Sequence, residues 1–534
     1  MSHRHRGGRS GARLALAGVL LLPAACKQGP NFFSPAAPAE KAYTSADDPT
    51  PPSVDAPGKS RAAQRIAIGA KVKDDWWALF RSPKLDAVVN QALRDSPTIA
   101  QSEAALAQAR ELTIAALGAE YPQVDLSAGV GRQAVNVRPT GVNRVPIPVN
   151  VYSVGPTVSY TLDVFGAIQR NVEAQSAQAD VADYQVAAAY LALSGNIATQ
   201  AINIAGLRAQ IKTVGDILAD DEQNLKLVKT AQAGGSATMV DVTTAQSQLD
   251  NDRALLPPLR QQLSVARDAL TVFVGKTPAD WSAPDFDLQG LLLPPVVPLS
   301  LPSAMVRQRP DILAAEAQLH ANAALVGVAT ANLYPKFTLT AAIAQQATEL
   351  NNFFSASYNG WSVLAGATAP IFHGGTLQAQ QRAAVDAFNA SWAAYRQTVI
   401  QAFGQVADQL QALAHDDEAV KTQRAALASA EQALKLARLS YEAGNSTLLQ
   451  ILTPELQREQ AQLGVVRAET QRLTDTAQLL VALGSGWWNA PPAEPGPEPN
   501  PHDMVPGSPT ATPAPPPTGA SESIPFWDKW FSGS

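Results

Sequence analysis

The chain has 534 residues, a formal net charge of −6, 46% hydrophobic residues and only 16% charged ones. Aromatic residues make up 6%, and the abundance of alanine favours helices that pack through small side chains. No basic stripe is present, which argues against nucleic acid as a partner.

Residues 1–25 predict a secretory signal peptide. The basic stretch "HRHRGGRSGAR" precedes the apolar run "LALAGVLLL", which is too short to span a membrane as a mature helix. Cys26 is the only cysteine and follows Ala24 and Ala25, an arrangement that resembles a bacterial lipobox despite Pro23 where leucine is usual. Acylation there predicts a stable lipid anchor. The alternative is an incidental cysteine beside an ordinary cleavage site.

Beyond Cys26 the sequence shows no run of about 20 apolar residues, so no transmembrane helix is predicted. If the protein crosses a membrane, strands must do so.

A tandem duplication organises the chain. The stretch "SPTIAQSEAALAQARELTIAALGAEYPQ" from Ser96 is matched by "RPDILAAEAQLHANAALVGVATANLYPK" from Arg309. The offset between matching residues stays near about 210, too long for a solenoid repeat. The predicted domains are the signal peptide at 1–25, a lipidated N-terminal segment with the first helix at 26–95, a first structural repeat at 96–300, a second at 301–488, and a proline-rich tail at 489–534.

Each half contains two segments in which apolar and polar residues alternate, as in a strand with one apolar face. Each segment has the length of about 10 residues that a tilted strand needs to cross a bilayer. A soluble sandwich with its apolar face on a core is the alternative. The segments begin at Val124, Tyr152, Phe337 and Trp361, and the last one is predicted to run to Ile371.

Long helices follow the strands in both halves. From Gly166 to Gln232 there is no proline, and a helix of this length would reach about 100 Å. Apolar residues at spacings of three and four predict left-handed coiled-coil packing. Pro257 and Pro258 are predicted to divide the first returning arm. The turns "AGGS" and "AGNS" supply glycines for left-handed helix ends, so each half forms a hairpin.

Four strands cannot enclose water, and an open sheet edge cannot face lipid because its backbone groups would lack hydrogen bonds. If these strands span a membrane, several chains must therefore share one barrel, which the long helices continue as a tube.

At this point the sequence resembles the TolC/OprM-type outer-membrane efflux factors, in particular their lipoprotein branch. The similar segments are "CKQGPNFFSP", "DDWWALFRSPKLDAVVNQALRDSPTIA", "YTLDVFGAIQRNVEAQ", "LPSAMVRQRPDILAAEAQL", "PIFHGG" and "ALGSGWW". The resemblance implies a mainly helical homotrimer with a shared twelve-stranded β-barrel in the outer membrane of a Gram-negative bacterium and a coiled-coil tunnel in the periplasm. It implies export of small molecules such as drugs or toxic compounds, with a periplasmic adaptor and an inner-membrane pump of the RND type as partners.

The resemblance also implies site residues. Asp241 lies where the family places a gating aspartate, and Tyr441 lies where it places the tyrosine partner. The family's second carboxylate ring would fall near Gln450 and Thr453, neither of which is acidic. The expected adaptor contacts are the turn residues Gly234, Gly235, Ser236, Gly444, Asn445 and Ser446.

The residues do not predict an enzyme. The six histidines are scattered without metal-ligand spacing, and neither a phosphate loop nor a nucleophile elbow is present, so no cofactor and no metal is predicted. Two alternatives to the efflux duct remain: the outer-membrane component of a protein secretion system, and a non-conducting structural periplasmic coiled-coil lipoprotein.

Overall fold

The computed structural model describes residues 27–40, 42–53, 64–134, 148–443, 445–447 and 449–484. The chain divides into two units, residues 1–490 and 491–534, and the described residues all belong to the first. The predictions made for the signal peptide, Cys26, Gly444 and the proline-rich tail lie outside the described residues.

The described chain is mainly helical, with strands grouped in two places. The helices are α1 (Pro83–Asp95), α2 (Pro97–Leu117), α3 (Ala167–Ala233), α4 (Met239–Arg253), α5 (Leu256–Phe273), α6 (Pro302–Met305), α7 (Pro310–Ala331), α8 (Thr376–Glu442) and α9 (Leu449–Ala482). The strands are β1 (Arg65–Ile68), β2 (Gln123–Ala134), β3 (Pro148–Leu162), β4 (Val296–Leu299), β5 (Lys336–Ala347) and β6 (Asn359–Thr368).

The two halves have the same order of elements: a helix, two strands, a long helix and a returning arm. The long helices α3 and α8 are each 67 residues, which corresponds to about 100 Å. The first returning arm is divided into α4 and α5, with Pro257 and Pro258 in the first turn of α5, as their lack of a backbone N–H predicts. The second arm, α9, is one helix. The predicted domain boundaries stay a prediction.

Strands β2, β3, β5 and β6 form one antiparallel sheet in that order. The register places one apolar row across all four strands, made by Val124, Val158, Ala341 and Val363. The neighbouring row, on the other face, is Asp125, Thr157, Ala342 and Ser362. The predicted alternation is therefore confirmed. Leu126 and Trp361 are 76% and 79% exposed within the chain, so no core of this chain covers the apolar face there.

The prediction that the last strand runs to Ile371 was wrong. Strand β6 ends at Thr368, which pairs with Lys336, the first residue of β5. Beyond that pair the neighbouring strand has no residue left to hydrogen-bond, and Ile371 is 94% exposed. Apolar alternation alone could not reveal where the partner strand begins.

Helix α7 is long and apolar enough to cross a membrane by length and composition, although the sequence suggested no such run. Half of its most apolar window is buried inside the chain, where the helix packs against α3 and α8. Its buried Glu316 pairs with Arg307 at 3.0 Å. These contacts are those of a core helix.

The largest apolar core lies midway along α3. Trp76 and Phe80, from the "DDWWALF" segment, are buried against the middle of α3 and the C-terminal part of α9. The indole nitrogen of Trp76 donates to the Ser194 hydroxyl at 3.3 Å. This core separates the sheet end of α3 from its hairpin end.

Candidate functional site at the helix tips

The first tip is the turn between α3 and α4. Gly234 caps α3, and Gly235 has a φ of +78°, a conformation in which a Cβ would be strained. The backbone N–H of Ser236 donates to the Ala231 carbonyl at 2.9 Å, and the Ser236 hydroxyl donates to the same oxygen at 3.0 Å. The predicted left-handed reversal is confirmed at Gly235, whereas contact with an adaptor stays a prediction.

Asp241 belongs to the cap of the next helix. Thr238 is the N-cap of α4, and its backbone N–H and hydroxyl both donate to Asp241 Oδ2 at 2.7 Å. In return the Asp241 N–H donates to the Thr238 hydroxyl at 3.3 Å. These hydrogen bonds lower the pKa of Asp241 below its usual value. The larger effect comes from the Thr238 backbone N–H and the smaller one from the Thr238 hydroxyl. Asp241 is therefore an ionised acceptor at neutral pH.

The second tip is the turn between α8 and α9. Tyr441 lies in the last turn of α8 and is 37% exposed, while the Asn445 N–H donates to the Ser440 carbonyl at 3.0 Å. Ser446 is half-buried, and its hydroxyl has no hydrogen-bond partner among the described residues. In the described part of this chain no hydrogen bond joins Tyr441 to Asp241, so the predicted link between them stays a prediction.

A crevice beside the first tip separates the first hairpin from α9. Asp241 lines it on one side, and Ile451 and Leu452 line it on the other. Deeper along the helices, polar bonds replace apolar contacts: the Asn224 amide donates to Glu455 at 2.7 Å and Arg438 pairs with Glu455 at 3.0 Å. Polar links thus join α3, α8 and α9 just below the tips.

Sequence reasoning missed a group of buried acids in this region. Asp221, Asp252 and Glu459 come from α3, α4 and α9, and they are only 4%, 9% and 4% exposed. The available signal was a gap in each coiled-coil stripe, because an acid stands where the spacing calls for an apolar residue. The three gaps lie far apart in sequence, and only folding brings them together.

The N-terminal segment is fixed at the opposite end of α3. Arg170 is 1% exposed, and its guanidinium donates to the Gln28 carbonyl at 3.0 Å and to Asn31 Oδ1 at 2.9 Å. Lys27 and Arg170 both pair with Glu173, at 2.5 and 2.9 Å. His320 also bonds to Glu173, at 3.1 Å, which gives this histidine a structural place. The residue after Cys26 is therefore held at the start of α3, beside the end of β3.

Comparison with known proteins gives the class and then the family. The solved structure of the outer-membrane channel OprN superposes with a TM-score of 0.76 at 24% identity, covering 86% of this chain and all of that one. The chain thus shares the fold of that outer-membrane channel. The model of the outer membrane efflux protein family matches residues 88–276 and 301–485.

The chain belongs to the outer membrane efflux protein family, which confirms both the resemblance and the predicted outer-membrane location. It is 30% identical over 417 residues to the pyoverdine export outer membrane protein OpmQ of Pseudomonas aeruginosa, covering 77% of this chain and 87% of OpmQ. It is 24% identical over 477 residues to the probable outer membrane lipoprotein SilC of Salmonella typhimurium, covering 89% of this chain and 98% of SilC.

Proposed function

We propose that three copies of this chain form the exit duct of a tripartite efflux system, which carries small molecules such as drugs or toxic compounds out across the outer membrane. The sheet carries the proposal. Within the described chain β2 and β6 each pair on one side only, and the apolar residues Val124 and Val363 on these edge strands are exposed. An open, apolar sheet is stable in lipid only if its edges close on other strands. Three four-stranded sheets give one twelve-stranded barrel.

The faces of the sheet fit this assembly. The row of Val124, Val158, Ala341 and Val363 would meet lipid, whereas the row of Asp125, Thr157, Ala342 and Ser362 would line the lumen. Antiparallel barrels in outer membranes alternate in this way. The long helices α3 and α8 would continue the lumen into the periplasm.

The tips would close and open the duct. In the proposed resting state Asp241 and Tyr441 contribute to a polar link, in which the Asp241 carboxylate accepts and the Tyr441 hydroxyl, which is exposed, donates. A hydrogen bond to a charged group contributes about 1.5–3 kcal/mol, so a few copies can hold a gate that a docking partner still opens. The partner would be a periplasmic adaptor contacting the turns at Gly234–Ser236 and 444–446, with an inner-membrane pump of the RND type behind it.

Acylated Cys26 would anchor each chain. The clamp of Arg170 on the N-terminal segment holds Lys27 beside the end of β3, so acyl chains on the preceding residue would start near the sheet that meets lipid. The related protein SilC is a probable outer membrane lipoprotein, which supports this proposal. Mass spectrometry of the mature N-terminal peptide checks it: an unmodified cysteine, or a different first residue, would contradict the anchor.

The experiment for the duct is the molar mass of the detergent-solubilised mature protein, corrected for bound detergent, followed by conductance in a planar bilayer. We expect a trimer that conducts. A stable monomer without conductance would overturn the proposal and favour the structural coiled-coil lipoprotein. A conducting trimer whose deletion blocks export of a protein but leaves small-molecule resistance unchanged would favour the secretion alternative.

A further inference from the structure

Three acidic side chains meet inside the helix bundle below the first tip. Asp221 of α3, Asp252 of α4 and Glu459 of α9, here called the acidic cluster, each bring one carboxylate oxygen within 4.8 Å of the other two. All three residues are more than nine-tenths buried. Asp221 lies 13 residues before Gly234, which puts the cluster about 20 Å along α3 from the turn.

Each member of the acidic cluster occupies a seam position of its helix. Each follows an apolar seam residue by three positions, which is the short step of a coiled-coil stripe. A carboxylate at a packed helix interface loses its hydration shell. This loss destabilises the folded state unless a cation or hydrogen-bond donors compensate the negative charge. The apolar residues that precede the acids by three are Leu218, Leu249 and Leu456.

Two oxygens of the acidic cluster lack a partner. Asp221 Oδ2 and Glu459 Oε1 are buried and have no hydrogen bond among the described residues. Asp252 Oδ2 accepts from the Gln248 amide at 2.6 Å. Buried polar atoms are nearly always satisfied by protein, water or an ion, so the two free oxygens point to a missing ligand.

The neighbouring arginines do not supply that ligand, because they are engaged elsewhere. Arg458 pairs with Asp220 at 2.7 Å, and Arg438 pairs with Glu455 at 3.0 Å. Among the described residues the Arg458 charge partly offsets that of Glu459, but no ion pair joins either arginine to a carboxylate of the acidic cluster. Burial, followed by the charges of Asp221, Asp252 and Glu455, raises the pKa of Glu459 to about 8, although Arg458 acts in the opposite direction. Burial, followed by a hydrogen bond with Asp252, raises the pKa of Asp221.

We propose that Asp221, Asp252 and Glu459 bind one divalent cation of the oxygen-preferring kind, Ca²⁺ or Mn²⁺, which ties the first hairpin to α9. A Ca²⁺ ion bonds oxygen at about 2.3–2.6 Å, so two of its ligands lie at most about 5 Å apart, as these three oxygens do. Mg²⁺ fits less well, because it needs shorter bonds of about 2.1 Å and keeps several waters. The ion would offset two of the three negative charges at the seam and bond to the two free oxygens.

Because α3, α4 and α9 each contribute one ligand, the cation would lock the returning helix of the second half against the first hairpin. It would act on the bundle behind the tips and not on the tips themselves. The proposal does not depend on conductance or on the trimer, so its failure would leave the proposed duct untouched.

The test is calorimetric titration of Ca²⁺ into the full chain in detergent after removal of metals by a chelator. We expect one saturable site per chain. The variant Asp221→Asn/Glu459→Gln keeps the volume but removes two negative ligands, and its affinity should fall by more than about tenfold, the loss that even a second-shell change can cause. The matched control is Asp416→Asn, which changes an acid of α8 that lies outside the acidic cluster and also has a raised pKa. This variant should bind Ca²⁺ as the wild type does.

A second measurement covers the case in which the double variant fails to fold. Hydrogen exchange on the wild type should slow in α3, α4 and α9 around the acidic cluster when Ca²⁺ is added, and Mn²⁺ should give a bound spin-resonance signal that Ca²⁺ displaces. The absence of saturable binding would overturn the proposal and favour a cluster that holds protons. Saturable binding without local protection would also overturn it, because the ion would then bind elsewhere. Equal binding by the double variant would overturn it as well.

Discussion

Arg170 is a buried guanidinium at the base of α3, and such a charge is stable only when its donors are occupied. They are occupied here by Gln28, Asn31 and Glu173. Gly327 of α7 makes room for the side chain, since a Cβ there would lie 2.8 Å from Arg170 Cγ. A single small residue in α7 thus permits the contact that fixes the N-terminal segment.

We expect Gly327→Ala to destabilise this region by about 1–3 kcal/mol, the usual cost of overpacking. The buried arginine cannot move aside without giving up its hydrogen bonds, so the N-terminal segment should loosen. Faster hydrogen exchange and easier proteolysis of residues 27–40 would measure this. The control is Gly215→Ala in α3, where a Cβ meets nothing within 4 Å; helix propensity should make it neutral or stabilising. Equal effects of both changes would refute the clamp.

Glu459 makes a pH dependence testable at one residue. An ordinary glutamate ionises near 4.5, but burial and the neighbouring acids raise the pKa of Glu459 in the folded chain to about 8. Between these values the folded state holds a proton that the unfolded state has released. The free energy of unfolding therefore falls as pH rises through this interval. The total loss is about 1.4 kcal/mol for each unit by which the two pKa values differ.

With a chelator present, amide protection in α9 around Glu459 should fall from pH 5 to pH 8, and Glu459→Gln should flatten that decline because glutamine does not titrate. Hydrogen exchange, corrected for its intrinsic pH dependence, is the measurement. A variant with the same slope as the wild type would show that Glu459 does not cause it.

Among the elements, the first turn of α4 combines two roles that can be separated by mutation. Thr238 and Asp241 cap the helix reciprocally, and only Asp241 is proposed to belong to the gate. Removing either partner breaks the cap. Only the removal of Asp241 removes the carboxylate that Tyr441 would bond.

We therefore expect Asp241→Ala to increase the conductance of the resting channel in a planar bilayer, and Tyr441→Phe to act in the same direction. Thr238→Ala removes the cap bond and should leave the resting conductance near that of the wild type. If Thr238→Ala opened the channel as much as Asp241→Ala, helix fraying would be the cause and the proposed link would be wrong.

The sequence could predict those helices and strands that show a local hydrophobic periodicity. The alternation in β2 and β5, the apolar stripe of α3 and the break before Pro257 are local signals, and all three are in the structure. The end of β6 at Thr368 depends on where β5 begins, and the Arg170 clamp joins residues about 140 positions apart. The acidic cluster needs three helices at once, so no local pattern could assemble it.

At the scale of the whole molecule, the proposed barrel predicts that an arginine substitution has different effects on the two faces of the sheet. Val363 and Ser362 are neighbours in β6 that point to opposite faces. Val363→Arg would put a charge against lipid, at a cost of about 2–4 kcal/mol at the bilayer midplane. Ser362→Arg would put the same charge in the proposed lumen.

We expect Val363→Arg to reduce the amount of assembled protein in the outer membrane, and Ser362→Arg to assemble normally but with lower conductance for cations. Membrane fractionation and planar-bilayer recording measure the two effects. Normal assembly of both variants, with unchanged conductance, would mean that the sheet neither meets lipid nor lines a lumen.

The division of the first returning arm has a mechanical consequence. Helix α4 ends at Arg253 and α5 begins at Leu256, whereas α9 runs from Leu449 to Ala482 with one interior proline, Pro454, near its start. A joint between two helices bends without breaking helical hydrogen bonds, while an unbroken helix resists bending because its hydrogen bonds must lengthen or break. A sideways force on the two tips would therefore bend the first returning arm at the joint after Arg253. It would bend α9 close to its tip, at Pro454, and leave the rest of α9 straight, so the two duplicated halves bend at different distances from their tips.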